Sequence, residues 1–281
     1  MRYLSWLLVF ICLAASASAD AIDVRVTVTE VSDRRSTGQF FNNLEVKLKL
    51  TGDEAAEIRG IKTSITTAID DTRRNLLPSE KSSFGFETMG ESGAGPAVML
   101  TLKNPARKAT VIKELSGELQ LFIPGRDPAA TVLVKDVKRS VGKPIANPAL
   151  EKAGISVIVL TKKEYDQIRK EEEQKAKDTA GKQGLDQALL KAFEGLLGSF
   201  FDVGEHDLIL KISDPTAKLI ELEVLDGKGV RISGQGSMKT GDLRILNYAE
   251  ALPADAQLRL FLNTQKSVLS LPLKLVDIAL P

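Results

Sequence analysis

The residues able to do chemistry are few, and each lacks the company its chemistry needs. The 281 residues include one histidine, His206, in Gly204-Glu205-His206-Asp207. It could act as a general base, or join Glu205 or Asp207 around a metal ion. Transition-metal sites are built from several histidines or cysteines, so His206 reads as an ordinary residue at a strand start. Asp70-Asp71 and Asp226 offer carboxylates for calcium. Aspartate also forms turns through its own backbone hydrogen bonds, and no spacing here matches a calcium loop. Gly234-Gln235-Gly236-Ser237-Met238-Lys239-Thr240 is a weak echo of a phosphate loop, without the glycine before the lysine or a strand–loop–helix setting. Ser140-Val141-Gly142-Lys143 fits Ser-x-x-Lys but lies in a proline-containing linker without its partner motifs. No reason emerges to choose two of the 37 carboxylates as a catalytic pair. The expectation is a non-enzyme with no cofactor and no metal.

The elements that would position such residues form a repeat. Four matches occur in the same order: Ile22–Thr29 with Ile155–Thr161, Phe40–Leu50 with Phe200–Ile212, Leu119–Ile123 with Leu258–Leu262, and Val134–Val137 with Leu275–Ile278. Alternation of period two, clearest at Leu44, Val46, Leu48 and Leu50 against Glu45, Lys47 and Lys49, predicts half-buried strands. Further strands are expected through Ile61–Ile65, Val98–Leu102 and Thr131–Val137, and in the second copy through Leu208–Ile212, Leu219–Leu225, Leu243–Leu246 and Leu269–Ile278. The Asp70–Asn75 turn matches Asp226-Gly227-Lys228-Gly229, which reads as a hairpin signal.

Six or seven short strands per copy, without strand–helix alternation, predict a mainly β chain of two tandem antiparallel β-sandwich domains. At the level of strand count the pattern resembles immunoglobulin-like or fibronectin-type modules. It lacks their cysteine pair, and the only tryptophan is Trp6.

The expected boundaries are a signal peptide at 1–19, domain 1 at 20–147 and domain 2 at 148–281. Arg2, the apolar run Leu4–Ala15 and the small-residue site Ala17-Ser18-Ala19 carry the first of these, with Asp20 as the mature start. Lys138–Pro148 is the linker. Cys12, the only cysteine, falls within the apolar run, so the mature chain has no thiol chemistry. Removing Arg2 from 38 basic residues leaves 37, equal to the 37 acidic ones. This balance disfavours nucleic acid as a partner.

The copies differ in two places. Copy one has a Ser/Gly-rich loop between Leu77 and Ala97. Copy two has an α-helical hairpin at 162–201. Thr161 and Glu164 form a capping box, residues 162–178 are highly charged, and Gly181-Lys182-Gln183-Gly184 is expected to break the helix. A second helix presents Leu189, Phe193, Leu196 and Phe200 at helical spacing. These four, with Phe84 and Phe86 of the loop, are the expected partner-binding residues.

The resulting expectation is an exported, periplasmic or extracellular protein that binds a protein partner or supports structure in the cell envelope. Contact with a membrane surface is less favoured, since the second helix lacks a Lys/Arg-rich face. The competing readings are a carbohydrate-binding or hydrolytic module with carboxylates at the domain interface, and a carrier of apolar cargo between its sheets.

Overall fold

The computed structural model describes residues 23–36, 42–79, 85–89, 95–182 and 203–281. The first half of the chain supplies strands β1 (Arg25–Arg34), β2 (Asn43–Thr51), β3 (Gly60–Asp70), β4 (Glu87–Thr88), β5 (Ala97–Leu102), β6 (Val111–Phe122) and β7 (Thr131–Val134). After helix α1 (Pro148–Ala153) come β8 (Ser156–Leu160), helix α2 (Lys162–Lys182), β9 (Leu208–Ser213) and β10 (Leu219–Leu225). The chain ends with β11 (Gly236–Thr240), β12 (Leu243–Asn247), β13 (Gln257–Leu262) and β14 (Val268–Ala279). The protein is mainly β, and every sheet is antiparallel.

Among the described residues four sheets form, in the orders β1-β2-β5, β14-β6-β3-β4, β10-β13-β7 and β11-β12-β9-β8. The first two enclose one apolar core, with Leu44, Leu48, Val98 and Leu100 facing Ile61, Leu115, Leu119 and Leu273. The other two enclose a second, with Val157, Leu208 and Leu210 facing Val132, Val224, Leu258 and Leu260. The alternation of small apolar and polar residues in each strand is what sends one set inward.

Two strand ladders cross the expected boundary at residues 147/148, and the single bridges Val141–Val159 and Pro144–Ile158 cross it too. β7, near the middle of the chain, pairs with β13 in the second lobe. β14, the last strand, runs along nearly the whole of β6 in the first lobe. Each lobe thus lends its terminal strand to the other. The sequence match Leu119–Ile123 with Leu258–Leu262 shows the reciprocity: Leu119 faces Leu271 of β14, and Leu258 faces Val134 of β7. Asp136 and Asp277, paired in the sequence repeat, share the left-handed backbone at φ 52 and 53. The crossovers touch: Thr264 Oγ1 donates to Asp127 Oδ2 at 2.6 Å, and Ile123 N donates to Ser267 O at 2.8 Å.

The two aspartate turns have one geometry. The amide of Asp70 donates to Arg74 O and that of Asp226 to Val230 O, with Arg73 and Gly229 left-handed at φ 69 and 83. The second turn closes a short hairpin, with the bridge Leu225–Arg231 and Ile232 N donating to Val224 O at 2.8 Å, and the body of β10 pairs with β13. Asn147, near the expected linker, caps α1, its Oδ1 accepting from Ala149 N at 2.9 Å, and Pro148 opens the helix.

Helix α2 runs through Gly181 to Lys182, the first two residues of the expected break, and Gln183-Gly184 lie outside the described residues. Whether a second helix follows lies outside the described residues. So does the expected signal peptide at 1–19. Among the described residues, no helix is long and apolar enough to cross a membrane.

Candidate functional site

The most concentrated chemistry lies where the two lobes meet. In β10, Leu222 and Val224 pack with the second core, so Glu221 and Glu223 lie on the opposite face of the sheet. Glu223 pairs across the sheet with Arg259 of β13. Its side chain is 0% exposed. A buried carboxylate needs both opposite charge and hydrogen-bond donors, and three arginines supply them. Arg259 donates through Nε at 2.7 Å and through a second, shorter contact from Nη2. Arg59, from just before β3 of the first lobe, donates through Nη1 at 2.8 Å. Arg231 lies 3.5 Å away.

Aromatic rings frame this ion cluster. The guanidinium carbons of Arg59 and Arg259 lie 5.0 and 5.5 Å from the centre of the Phe261 ring, a cation–π arrangement. Phe261 meets Phe122 edge-on at 6.5 Å, and Phe122 meets Phe86 at 6.1 Å. Phe122 and Phe261 occupy matching places in the repeat. Phe86 is half-buried just ahead of β4, within this joint rather than on a free loop tip.

Glu221 is the one carboxyl held above the ordinary range here. Burial is the main cause, and the Glu223 charge adds to it, while the arginines oppose it. Its Oε2 is buried without a hydrogen-bond partner. Glu221 and Glu223 thus lie side by side on one face of β10, one protonation-prone and one fully ion-paired. Glu223 is wholly enclosed and held by guanidinium groups.

The other sequence candidates serve local structure. Asp207, beside half-buried His206, accepts from Gly204 N and Asn247 Nδ2, both at 2.8 Å, through the same Oδ2. Asp70 Oδ1 accepts from Thr72 N, Thr72 Oγ1 and Arg74 N, while Oδ2 accepts from Ala106 N. Burial pushes the Asp70 carboxyl up, but these hydrogen bonds prevail and hold it below its ordinary value. Among the described residues, no three His, Cys, Asp or Glu side chains gather as metal ligands do. Most of the phosphate-loop-like segment is strand β11, paired with β12. Ser140 ends a short 3-10 turn, and Lys143 is exposed in the loop after it.

Helix α2 begins against the outer face of the β11-β12-β9-β8 sheet. Glu164 Oε2 accepts from Thr161 N at 2.7 Å and Thr161 Oγ1 at 2.8 Å, the expected capping box. Those bonds, the backbone one foremost, hold the Glu164 carboxyl below its ordinary value. Tyr165 is buried with Val203, Ile209 and Ile245. Lys162 Nζ donates to Val203 O at 2.6 Å. From Lys170 onward, every helix side chain that is described is exposed. Leu189, Phe193, Leu196, Phe200 and Phe84 lie outside the described residues.

Sequence reasoning passed over the Glu223 joint. Its signal was present in Ile-Glu-Leu-Glu-Val and Leu-Arg-Leu-Phe-Leu: opposite charges at outward positions of two strands, next to an outward phenylalanine. No known protein family matches the chain, and neither a curated protein nor a solved structure does.

Proposed function

We propose that this chain is an exported, non-enzymatic protein that binds a protein partner or gives structural support in the cell envelope or outside it. It is built from two immunoglobulin-like sandwich modules, residues 20–147 and 148–281, joined by exchange of their last strands. The observation that carries this reading is the joint itself. Its carboxylate is consumed by three arginines and closed off from solvent, as suits a rigid connection between modules. A hydrolytic site needs carboxylates that touch substrate. The partner-binding element in this reading is the insert at 162–201, which leaves the lobe as a solvated charged helix anchored by its first turns.

The test uses the full chain produced in a bacterial host with an outer membrane. The expected result is a processed protein starting at Asp20 in the periplasm or medium. Cross-linking there is expected to capture a protein partner that is lost when 162–201 is replaced by a short Gly/Ser linker. An unprocessed cytosolic product would overturn export. An unchanged partner profile on deletion would overturn the role of the insert, and glycosidase activity of the purified chain would overturn the non-enzymatic reading.

A further inference from the structure

The open end of the second lobe differs from its counterpart in the first in a way that builds a pocket. Register equates the two ends residue by residue. Leu50 N donates to Pro96 O at 2.9 Å in one lobe, and Ile212 N to Asp242 O at 2.7 Å in the other. Gly95 and Gly241 precede these acceptors, both left-handed at φ 76 and 57. Leu48 pairs with Val98, and Leu210 pairs with Arg244. Arg244 therefore occupies, on the core-facing side of β12, the place of a valine.

The first lobe seals this end. A 3-10 turn at Asp53–Glu57 follows β2 and drives Ala55 and Ile58 into the core. In the second lobe the corresponding segment is the turn after β9, where Pro215 and Ala217 stay exposed. An opening of about 340 Å³ remains, lined by Ile212, Pro215, Leu219, Lys239 and Arg244 among others. That lies at the lower end of small-molecule sites, roughly 300–1,000 Å³.

Arg244 is half-buried and makes no hydrogen bond or ion pair with any described residue. Burial weakens its hold on its proton, with the Asp214 charge opposing. Its guanidinium, half withdrawn from water, faces the opening without an acceptor among the described residues, and an anion bound there would supply one. The two aspartates at the rim do not fill that role. Asp214 receives Lys218 N at 3.0 Å and Leu219 N at 2.7 Å on its two oxygens, and Asp242 lies 3.7 Å from Lys211.

We infer that this end of the second lobe is a binding site for a small organic carboxylate. The Arg244 guanidinium takes the carboxylate in its fork, and exposed Lys239 adds a second positive charge at the mouth. The apolar body of the ligand lies against Ile212, Pro215 and Leu219. A monoanion fits better than phosphate, because Asp214 and Asp242 flank the opening and repel a second negative charge. This inference does not depend on the partner-binding role proposed above.

The test titrates the purified full chain with benzoate, hexanoate, benzyl alcohol and inorganic phosphate, followed by calorimetry. Benzoate and hexanoate should bind saturably, and benzyl alcohol should not. Arg244→Val, the residue of the first lobe, should weaken benzoate binding about tenfold to a hundredfold, with Arg244→Lys in between. A second measurement needs no variant: benzoate should slow phenylglyoxal modification of Arg244 but not of exposed Arg25, read by mass spectrometry. No binding of either carboxylate, equal binding by Arg244→Val, tighter binding of phosphate, or no protection of Arg244 would each overturn the site.

Discussion

The outer faces of two equivalent sheets have opposite characters. On β2 and β5 of the first lobe, Lys47 faces Met99, and Met99 is 41% exposed. The same register places in the second lobe hold Ile209 and Ile245, exposed only 2% and 3%. Tyr165 of α2 and Val203 cover them. One backbone thus serves as a solvated surface in one lobe and as the floor under a helix in the other. The difference lies in two side chains per face and the insert that covers them. The strand ladder fixes the fold, and what is appended to its outer positions distinguishes the lobes.

The largest effect should come from removing residues 268–281. Reciprocal exchange places the damage in the first lobe, where β6 loses its long neighbour β14. Hydrogen exchange should show β3 and β6 amides losing protection while β10 and β13 keep theirs. The opposite pattern would mean that β14 belongs to its own lobe. Next in size is Glu223→Ala, which strands three arginines. It should lower stability to urea by roughly 3 kcal/mol, the half-exposed arginines moderating the loss. Glu221→Gln should be neutral or stabilising at neutral pH. The raised folded pKa of Glu221 means its favourable contribution is present below the ordinary glutamate value and lost as pH rises through the folded one. The glutamine variant should flatten that part of the stability profile.

The face comparison itself is tested by swapping residues between lobes. Ile209→Lys buries a charge under α2 and should cost about 3 kcal/mol. Lys47→Ile, its mirror, should change thermal stability by less than about 0.5 kcal/mol. Equal effects would mean that the covering helix contributes little. The aspartate turns give the smallest contrast. Asp70 accepts four hydrogen bonds and Asp226 two from its own turn, so Asp70→Ala should cost about 2 kcal/mol and Asp226→Ala about 1. Because the folded pKa of Asp70 is depressed, its contribution is present above the ordinary aspartate value. It is lost as pH falls through the lower folded one, and the Asp70 variant should lose that acid-side slope.

Much of the strand ladder was legible, because alternation reports which face a residue takes. Leu44–Leu50 and Leu208–Ile212 lie where period two places them, and the Asp70 and Asp226 turns share the geometry their matching positions implied. Strand β11 was missed because Gly236–Thr240, rich in small and polar residues, carries no apolar alternation. The exchange of β7 and β14 was illegible for a different reason. Val132 and Val134 present the same inward pattern as Leu269 and Leu271, so either strand suits either neighbour. The Glu223 joint was hidden by the same limit. Alternation marks Glu223 as outward but cannot say that another lobe covers that side. Phe86 had no evident strand because its partner, Phe122, lies on a different one.

The order in which the chain is made gives the crossing of β14 a further meaning. Ser270 reaches Glu118 across 152 residues of chain, and Asp277 reaches Lys113 across 164. Proteins emerge N-terminus first and their domains tend to close in that order. Here the half that emerges first waits for a strand that emerges much later. Until then β6 presents a 12-residue edge of the kind other strands add to. Pairings of such span also form slowly. The first lobe therefore completes its sheet only once β14 has been made, whereas the second lobe, built from β7 to β13, has its strands earlier.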